Sequence, residues 1–310
     1  MTQRLDEAES VFAAARPRLF GIAYRMTGSV AEAEDLVQEG FYRLQRARHN
    51  GVEVESPKAY LAATTTRLAV DHMRSARVRR ESYVGTWLPE PVVADLHESP
   101  EQMAELSDSL SMAFLVLLES LTPVERAVFL LREVFDYDYE DIAQIVDKSE
   151  VNCRQIFARA RRHVDAHKPR HEASVQQSEA LLRSFLAATR GGDLEQLVDL
   201  LAADAVFCGD GGGKATAIRE PLHGRDTVAA FLLAIFKRNL PRGMTSEPAL
   251  VNGGPGIVNR DSQGRVIGVL SLEVLDGAIQ TVRSVVNPDK LEHLGPVSDF
   301  LRVPHDEEMS

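Results

Sequence analysis

The stretch YEDIAQIVDKSEVNCRQIFARARRHV, residues 139 to 164, decides how this chain folds around its middle. Apolar residues at helical spacing predict a short helix through Ile142 and Ile145. Asp147-Lys148 predicts a turn, and Ser149 is a typical N-cap for a second helix. Two helices joined in this way form a helix-turn-helix, whose second helix lies in the major groove of DNA. The inner face of that second helix is predicted to consist of Cys153, Phe157, Ala160 and Val164.

The outer face of the second helix is basic although the chain carries a formal net charge of -11. Arginine and glutamine have the fork geometries that pair with guanine and adenine edges. A solvated basic face is also common on ordinary helices, so this pattern alone leaves DNA binding and simple solvation equally open. The candidate DNA-contacting residues are Arg154, Gln155, Arg159 and Arg162.

The first 83 residues read as helices and end in another basic patch. In VAEAEDLVQEGFYRL, apolar or small residues recur with the 3.6-residue rhythm of a helix that is buried on one side. Ser56-Pro57 supplies a cap and a first-turn proline for the helix that follows. Two local basic patches in an acidic protein indicate two separate contacts with a polyanion. The members of the first patch are Arg67, Arg74, Arg77, Arg79 and Arg80.

Residues 84 to 112 have the composition of a connector, with three prolines, six acidic residues and no basic ones. Trp87 is the one tryptophan of the chain and lies within the sequence WLPEP. Because a large aromatic side chain is rarely left in water, we expect this segment to dock on a neighbouring surface.

Three ordered blocks in the first 165 residues resemble regions 2 and 4 of extracytoplasmic-function sigma factors. The resemblance implies that the chain binds the RNA polymerase core and directs it to promoter DNA. It also implies two all-α modules, with sigma region 2 in residues 1–85 and sigma region 4 in residues 113–170. The blocks are AEDLVQE at 33–39, YLAATTTRLAVDHMR at 60–74 and LTPVERAVFLL…YEDIAQIV…RQIFARARRHV at 121–164.

The same resemblance assigns roles to residues by position. An acidic face falls where the family meets the clamp helices of the large polymerase subunit, although by itself it reads equally as a solvated face. The recognition helix falls where the family reads the -35 element. The sequence departs from the family pattern at Tyr60, Arg67 and Asp147-Lys148. These departures affect which promoter sequence is expected more than they affect the assignment of DNA binding. The implied core-binding residues are Asp35, Gln38 and Glu39, and the implied -10 residues are Tyr60, Arg67, Arg74 and Arg77.

Residues 171 to 302 predict a further α+β domain. Two helices, SEALLRSFLAATR and LEQLVDLLAAD, precede apolar stretches separated by turn signals. Asn252-Gly253 and Asp276-Gly277 are strong hairpin dipeptides, and three long strands of an antiparallel sheet are expected there. The order of elements resembles SnoaL-like domains of the nuclear-transport-factor-2 cone fold. An acidic tail, residues 303–310, carries no assignable role.

The sequence DGGGK at 210 to 214 is not a P-loop, because Cys208 and Ala215 occupy positions where that motif needs glycine and Ser or Thr. Consecutive glycines favour a tight turn or a close backbone approach. Asp210, His223 and Asp226 are imaginable acid/base groups of a cyclase or isomerase with a DNA-targeting arm. Nothing in the sequence brings them together, so we expect no enzyme activity and no cofactor.

Three short motifs occur in the chain, WLPEP at 87–91, DGGGK at 210–214 and NPDKL at 287–291. Together they resemble the sigma-factor subgroup that carries a fused SnoaL-like domain. In that subgroup the extension is thought to regulate the sigma factor in cis. The hypothesis is that the linker, residues 86–112, docks on the extra domain and restrains regions 2 and 4. A small ligand in an apolar pocket of this domain is a further possibility, as is a one-component regulator that works without polymerase. The implied contact residues are Trp87, Leu88, Pro89, Asp210, Gly211, Gly212, Gly213, Lys214, Asn287, Pro288, Asp289 and Lys290.

Composition limits the remaining classes. Cys153 and Cys208 lie far apart without a metal-type partner, so neither a disulfide framework nor a metal site is expected. Neither a signal peptide nor a membrane span is apparent, which predicts a cytoplasmic protein.

Overall fold

The chain forms two compact units in a computed structural model that describes residues 2–94, 110–167, 175–238 and 243–303. The helical unit comprises residues up to 81 and residues 117–168. The C-terminal unit comprises residues 82–116 and those from 169 onward. The described part of the predicted connector, residues 84–94 and 110–112, therefore folds with the C-terminal sheet domain rather than with the helical unit.

Three helices form the first part of the helical unit: α1 (Thr2–Thr27), α2 (Val30–His49) and α3 (Pro57–Glu81). Ser29 Oγ accepts a hydrogen bond from the Glu32 amide at 3.1 Å, which caps α2. A Cβ at Gly40 would lie 2.9 Å from Thr65 Oγ1, so glycine permits the close approach of α2 to α3. The buried stripe of α2 is Ala33, Leu36, Val37, Gly40 and Leu44.

Between residues 110 and 167, the next stretch that the structure describes, there are four shorter helices: α4 (Met112–Leu118), α5 (Pro123–Glu133), α6 (Tyr139–Val146) and α7 (Glu150–His167). Thr122 and Glu125 make both hydrogen bonds of a capping box at the start of α5. Asp147 ends α6 with a φ of 52°, a left-handed conformation that aspartate tolerates better than most residues. Ser149 Oγ accepts from the Asn152 amide at 3.3 Å and begins α7. The predicted helix-turn-helix and its buried inner face are confirmed, with Ile156 as an additional inner residue.

The C-terminal unit is a seven-stranded sheet of order β1-β4-β5-β6-β7-β2-β3, packed against three helices. All paired strands are antiparallel except β2 and β7, which run parallel. The strands are β1 (Val93–Ala94), β2 (Leu201–Asp210), β3 (Leu222–His223), β4 (Thr245–Val251), β5 (Gly254–Arg260), β6 (Val266–Leu275) and β7 (Ala278–Val285). The helices are α8 (Val175–Gly191), α9 (Leu194–Leu200) and α10 (Arg225–Arg238), and two 3₁₀ turns follow at Pro288–Lys290 and Glu292–Leu294.

Each face of this sheet carries its own apolar core. One core lies between the sheet and the helices, where Phe185 of α8 and Phe207 of β2 are buried. The other core combines Val258 and Val285 of the sheet with Leu88 from the connector. Because burial of apolar side chains drives both contacts, the part of the connector around Leu88 is an integral part of the unit.

Three expectations about this unit were wrong in detail. The helix predicted through LEQLVDLLAAD ends at Leu200, and Leu201–Asp210 instead form β2. Four strands, not three, surround the predicted hairpin dipeptides, because Thr245–Val251 also pair as a strand. The sheet is mixed rather than antiparallel, since β2 returns to lie beside β7 in the same direction.

Candidate functional site

Helix α7 presents one exposed polar face, which we call the recognition face. All four of its side chains are exposed, while the opposite side of α7 is buried. Their present partners are weak surface contacts. Arg154 lies 2.9 Å from Glu150 and over the Tyr139 ring, and Arg159 lies 3.8 Å from Glu125. Such contacts are readily exchanged for phosphates or base edges. The recognition face consists of Arg154, Gln155, Arg159 and Arg162.

The residues assigned to the -10 element make different contacts along α3. Tyr60 lies in the first turn of α3, and Arg74 pairs with Asp71 at 3.0 Å. The Arg67 guanidinium instead donates to the backbone carbonyls of Gln144 and Ile145 in α6. The backbone of Arg77 belongs to α3, but its side chain lies outside the described residues, as do those of Arg79 and Arg80.

An open pocket of about 380 Å³ lies where α2 ends and α3 begins. Its walls combine two tyrosine rings with two arginines, which are the groups that hold an unstacked base by stacking and cationic contacts. Tyr60 is the one member that sequence reasoning selected for DNA binding. The lining residues are Glu39, Tyr42, Arg43, Arg46, Ala47, Asn50 and Tyr60.

Helix α2 carries the acidic face predicted to contact the polymerase. Asp35, Gln38 and Glu39 are all exposed on the side opposite the buried stripe. Glu39 also pairs with Arg43 at 2.7 Å within the same helix. The face is therefore accessible, and its role as a core-binding surface stays a prediction.

A buried network, here called the Asp210 cluster, ties the connector to the sheet. The Asp210 carboxylate is fully buried at the end of β2. It accepts hydrogen bonds from the Tyr83 hydroxyl (2.5 Å), the Leu88 amide (2.8 Å) and the Lys290 ammonium (2.7 Å). Asn287 donates to the Tyr83 hydroxyl at 2.9 Å and completes the cluster. Of its five residues, Leu88 belongs to the connector, Tyr83 immediately precedes the connector, and three belong to the segments around DGGGK and NPDKL.

The Lys290 ammonium contacts several neighbouring groups. Besides Asp210, it donates to the Leu88 carbonyl. The ammonium also lies 4.3 Å from the centroid of the Trp87 ring and 5.0 Å from that of the Tyr83 ring. Burial and the neighbouring Asp210 carboxylate raise the pKa of Tyr83 far above its ordinary value, so its hydroxyl stays a donor. A buried charge pair with this many partners is expected to fix one arrangement of the surrounding groups rather than to tolerate several.

The glycines of DGGGK allow the loop to touch the connector. A Cβ at Gly212, where φ is +59°, would lie 2.2 Å from Asn287 Nδ2 and 2.9 Å from the Tyr83 hydroxyl. A Cβ at Gly211 would lie 2.3 Å from the Ala215 carbonyl. The predicted close approach is therefore present. The loop is also joined to the NPDKL segment by an exposed ion pair of 2.6 Å between Lys214 and Asp289.

The structure adds contacts that the sequence did not indicate. Tyr83 lies four residues before Trp87 and has no local signal for its contact with Asp210, which is distant in sequence. The His293 ring contacts the Pro91 carbonyl at 2.8 Å, and Asn252 accepts from the Val92 amide at 3.1 Å. Leu88, Pro89 and Pro288 are buried as the predicted contact requires. Together these contacts fix the connector from Tyr83 to Ala94.

The candidate acid/base residues Asp210, His223 and Asp226 do not lie together in one site. Asp210 is occupied by the cluster and pairs in register with Val285, whose side chain belongs to the connector side of the sheet. His223 and Asp226 are exposed. Within the described residues, the helix side of the sheet is filled by apolar side chains, with Phe207 packed edge-on against Phe231 at 4.9 Å.

Comparison with known proteins places these features in a family. Sigma-70 region 2 matches residues 11–79, and sigma-70 region 4 matches residues 111–164. The chain is similar to the ECF RNA polymerase sigma factor SigJ of Mycobacterium tuberculosis, with 35% identity covering 91% of this chain and 92% of SigJ. The probable ECF sigma factor SigI of the same organism is 30% identical, with coverage of 93% and 96%. This chain therefore belongs to the extracytoplasmic-function sigma factors, transcription initiation factors that work with RNA polymerase core and promoter DNA.

The likeness includes the C-terminal unit. The crystal structure of M. tuberculosis SigJ matches with a TM-score of 0.71 and 31% identity, covering 91% of this chain and 98% of that one. Coverage of this extent includes the sheet domain as well as regions 2 and 4. Among the described residues, no helix combines the length and apolarity needed to cross a membrane.

Proposed function

We propose that the C-terminal unit regulates this sigma factor in cis by holding the segment that joins region 2 to region 4. The observation that carries the proposal is the Asp210 cluster, in which a buried ion pair grips the backbone of Leu88 on both its amide and its carbonyl. While the cluster is intact, Leu88 is held at the end of β2. A freed segment can span at most about 3.3–3.6 Å for each residue.

We further propose which surfaces meet the promoter and the polymerase. The recognition face of α7 reads the -35 element, because its four polar side chains are exposed side by side on the second helix of a helix-turn-helix. The pocket beside Tyr60 holds an unstacked base of the -10 element. The acidic face of α2 meets the clamp helices of the large polymerase subunit. No observation on the described interior of the C-terminal unit favours a small ligand, so none is proposed.

Transcription in vitro from a promoter of this sigma factor tests the cis regulation. Full-length chain and the variant Asp210→Asn are compared with the same polymerase core and template. Asparagine keeps the shape of the side chain but leaves the buried Lys290 ammonium without its counter-charge, so the connector is released. We expect more transcript per bound core from the variant than from the wild type.

Asp289→Asn is the matched control, because it removes the same charge from an exposed ion pair beside the cluster. Tryptophan emission reports whether Trp87 has left its site, and circular dichroism reports whether the fold persists. A variant that remains folded, releases Trp87 and transcribes like the wild type contradicts the proposal.

A further inference from the structure

Regions 2 and 4 are joined inside the helical unit by a repeated contact that the family assignment does not explain. Among the described contacts, three arginine side chains cross between the two regions, and each donates to a backbone carbonyl at or just beyond the C-terminal end of a helix in the other region. The contacts are Arg18 to Phe135 (2.5 Å), Arg67 to Gln144 and Ile145 (2.5 and 2.9 Å), and Arg126 to Arg25 (2.7 Å). We call them the crossed arginine caps.

The chemistry of helix ends favours this arrangement. The last carbonyls of a helix have no partner within the helix and carry a partial negative charge. A guanidinium supplies several donors together with a full positive charge. Arg67 satisfies two carbonyls of the last turn of α6, Arg126 one in the last turn of α1, and Arg18 the carbonyl just after the α5 cap.

The three caps differ in burial, and this divides their roles. Arg126 is completely buried and also pairs with Glu119, so it behaves as part of the folded core. Arg18 and Arg67 are exposed, although Arg18 also lies 4.9 Å from the Tyr137 ring centroid. Exposed guanidinium-to-carbonyl contacts are weak, and a phosphate forms a stronger charge-assisted pair with the same group.

We propose that the crossed arginine caps hold regions 2 and 4 closed in the free chain, and that Arg18 and Arg67 are the releasable members of this closure. In the closed state Arg67 is engaged with α6 and is absent from any DNA surface. Opening frees it for the phosphate backbone of promoter DNA. The release of Arg67 to DNA rests on the -10 role that the family resemblance implies for this residue, but the closure itself is a property of the helical unit and does not need the C-terminal unit.

The distance between the two regions in the full-length chain tests the closure. Spin labels at Glu55→Cys, before α3, and Val151→Cys, on α7, report it, since both positions are exposed. The background carries Cys208→Ser, and Cys153 is buried. Wild type is expected to give one narrow distance distribution. In Arg18→Gln/Arg67→Gln, each lost exposed contact shifts the equilibrium by roughly 1.4- to fivefold, so a longer-distance population grows by roughly two- to twenty-fivefold.

Arg16→Gln/Arg74→Gln is the matched control, because these exposed arginines pair only inside region 2, with Glu34 and Asp71 in the described contacts. The control is expected to keep the narrow distribution. An unchanged distribution in Arg18→Gln/Arg67→Gln overturns the inference. If Asp210→Asn opens the regions and the arginine pair does not, the inference fails while the cis regulation stands; opening by the arginine pair with Trp87 emission unchanged supports the inference.

Discussion

Lys290 Nζ lies 2.7 Å from Asp210 Oδ2, and the two residues are 7% and 0% exposed. An isolated buried charge is costly, but here each partner is surrounded by further donors or acceptors. The pair joins the end of β2 to a 3₁₀ turn and closes over the backbone of Leu88. Its geometry makes the connector segment dependent on two residues that lie more than 110 positions later in sequence.

Breaking this pair is expected to destabilise the C-terminal unit. Asp210→Asn leaves the Lys290 ammonium buried without a counter-charge, which lowers the free energy of unfolding by about 3–5 kcal/mol. Asp289→Asn removes an equal charge from an exposed pair and is expected to lower it by less than about 1 kcal/mol. Denaturant titration followed by Trp87 fluorescence measures both, and equal effects contradict the role of the buried pair.

Gly212 is expected to tolerate no side chain. Gly212→Ala combines a left-handed φ with a Cβ 2.2 Å from Asn287, so it costs about 1–2 kcal/mol for the backbone and about 1–3 kcal/mol for crowding. Gly277→Ala has a φ of +78° with nothing within 4 Å and is expected to lose only the backbone part. Thermal unfolding of the two variants separates crowding from backbone strain, and similar losses show that the loop does not need its close approach.

The recognition face predicts a loss of promoter affinity from a single substitution. Arg159→Ala is expected to weaken binding of polymerase holoenzyme to the -35 region by about 1–3 kcal/mol. Arg183→Ala is the control, because Arg183 lies on α8 and its side chain is 69% exposed. Fluorescence anisotropy on labelled promoter DNA measures both. If the two variants lose affinity equally, net charge rather than the recognition face governs binding.

Polymerase binding is expected to depend on the acidic face of α2. Asp35→Arg places a positive charge in a surface proposed to face basic groups on the clamp helices, which weakens core binding by more than about tenfold. Glu55→Arg makes the same charge change at an exposed position before α3. Titration of labelled chain with core polymerase compares the variants, and undiminished binding by Asp35→Arg refutes the assignment.

The two cysteines are expected to be poorly reactive. Burial raises the pKa of the Cys208 thiol and of the Cys153 thiol, so less reactive thiolate exists at a given pH than in a free cysteine. At pH 8 the folded chain should therefore react with iodoacetamide more slowly than a model thiol, and the rate should keep rising above the ordinary pKa. Mass spectrometry of the two peptides measures this, with denatured chain as the reference that restores the rate.

Local signals predicted the helical unit well, because its decisive features are short in range. The caps at Ser56, Thr122 and Ser149 all lie within three residues of the amides they bind. The recognition face follows from helical periodicity alone. The sequence predicted that Arg67 lies in a helix. It could not predict the contact of Arg67 with Ile145, because the two residues are 78 positions apart and no local pattern links them.

The C-terminal unit was predicted less completely, because long-range pairing decides it. The residues Leu201 to Asp204 favour a helix by composition, yet β2 is fixed by its parallel pairing with β7. Tyr83 gave no signal, because its partners Asp210 and Asn287 meet it only after the sheet has formed. The three short motifs pointed to the right segments, and the structure supplies the atoms that join them.

The sheet domain is discontinuous in sequence, since β1 and Leu88 precede region 4 while β2 to β7 follow it. A translating ribosome therefore finishes both DNA-reading regions before it supplies the strands on which the connector must settle. At bacterial elongation speeds of ~5–20 residues per second, the stretch from residue 168 to residue 285 takes on the order of ten seconds to emerge. During that interval each nascent polypeptide already has its promoter-reading helices, whereas the contacts around Lys290 have not yet formed.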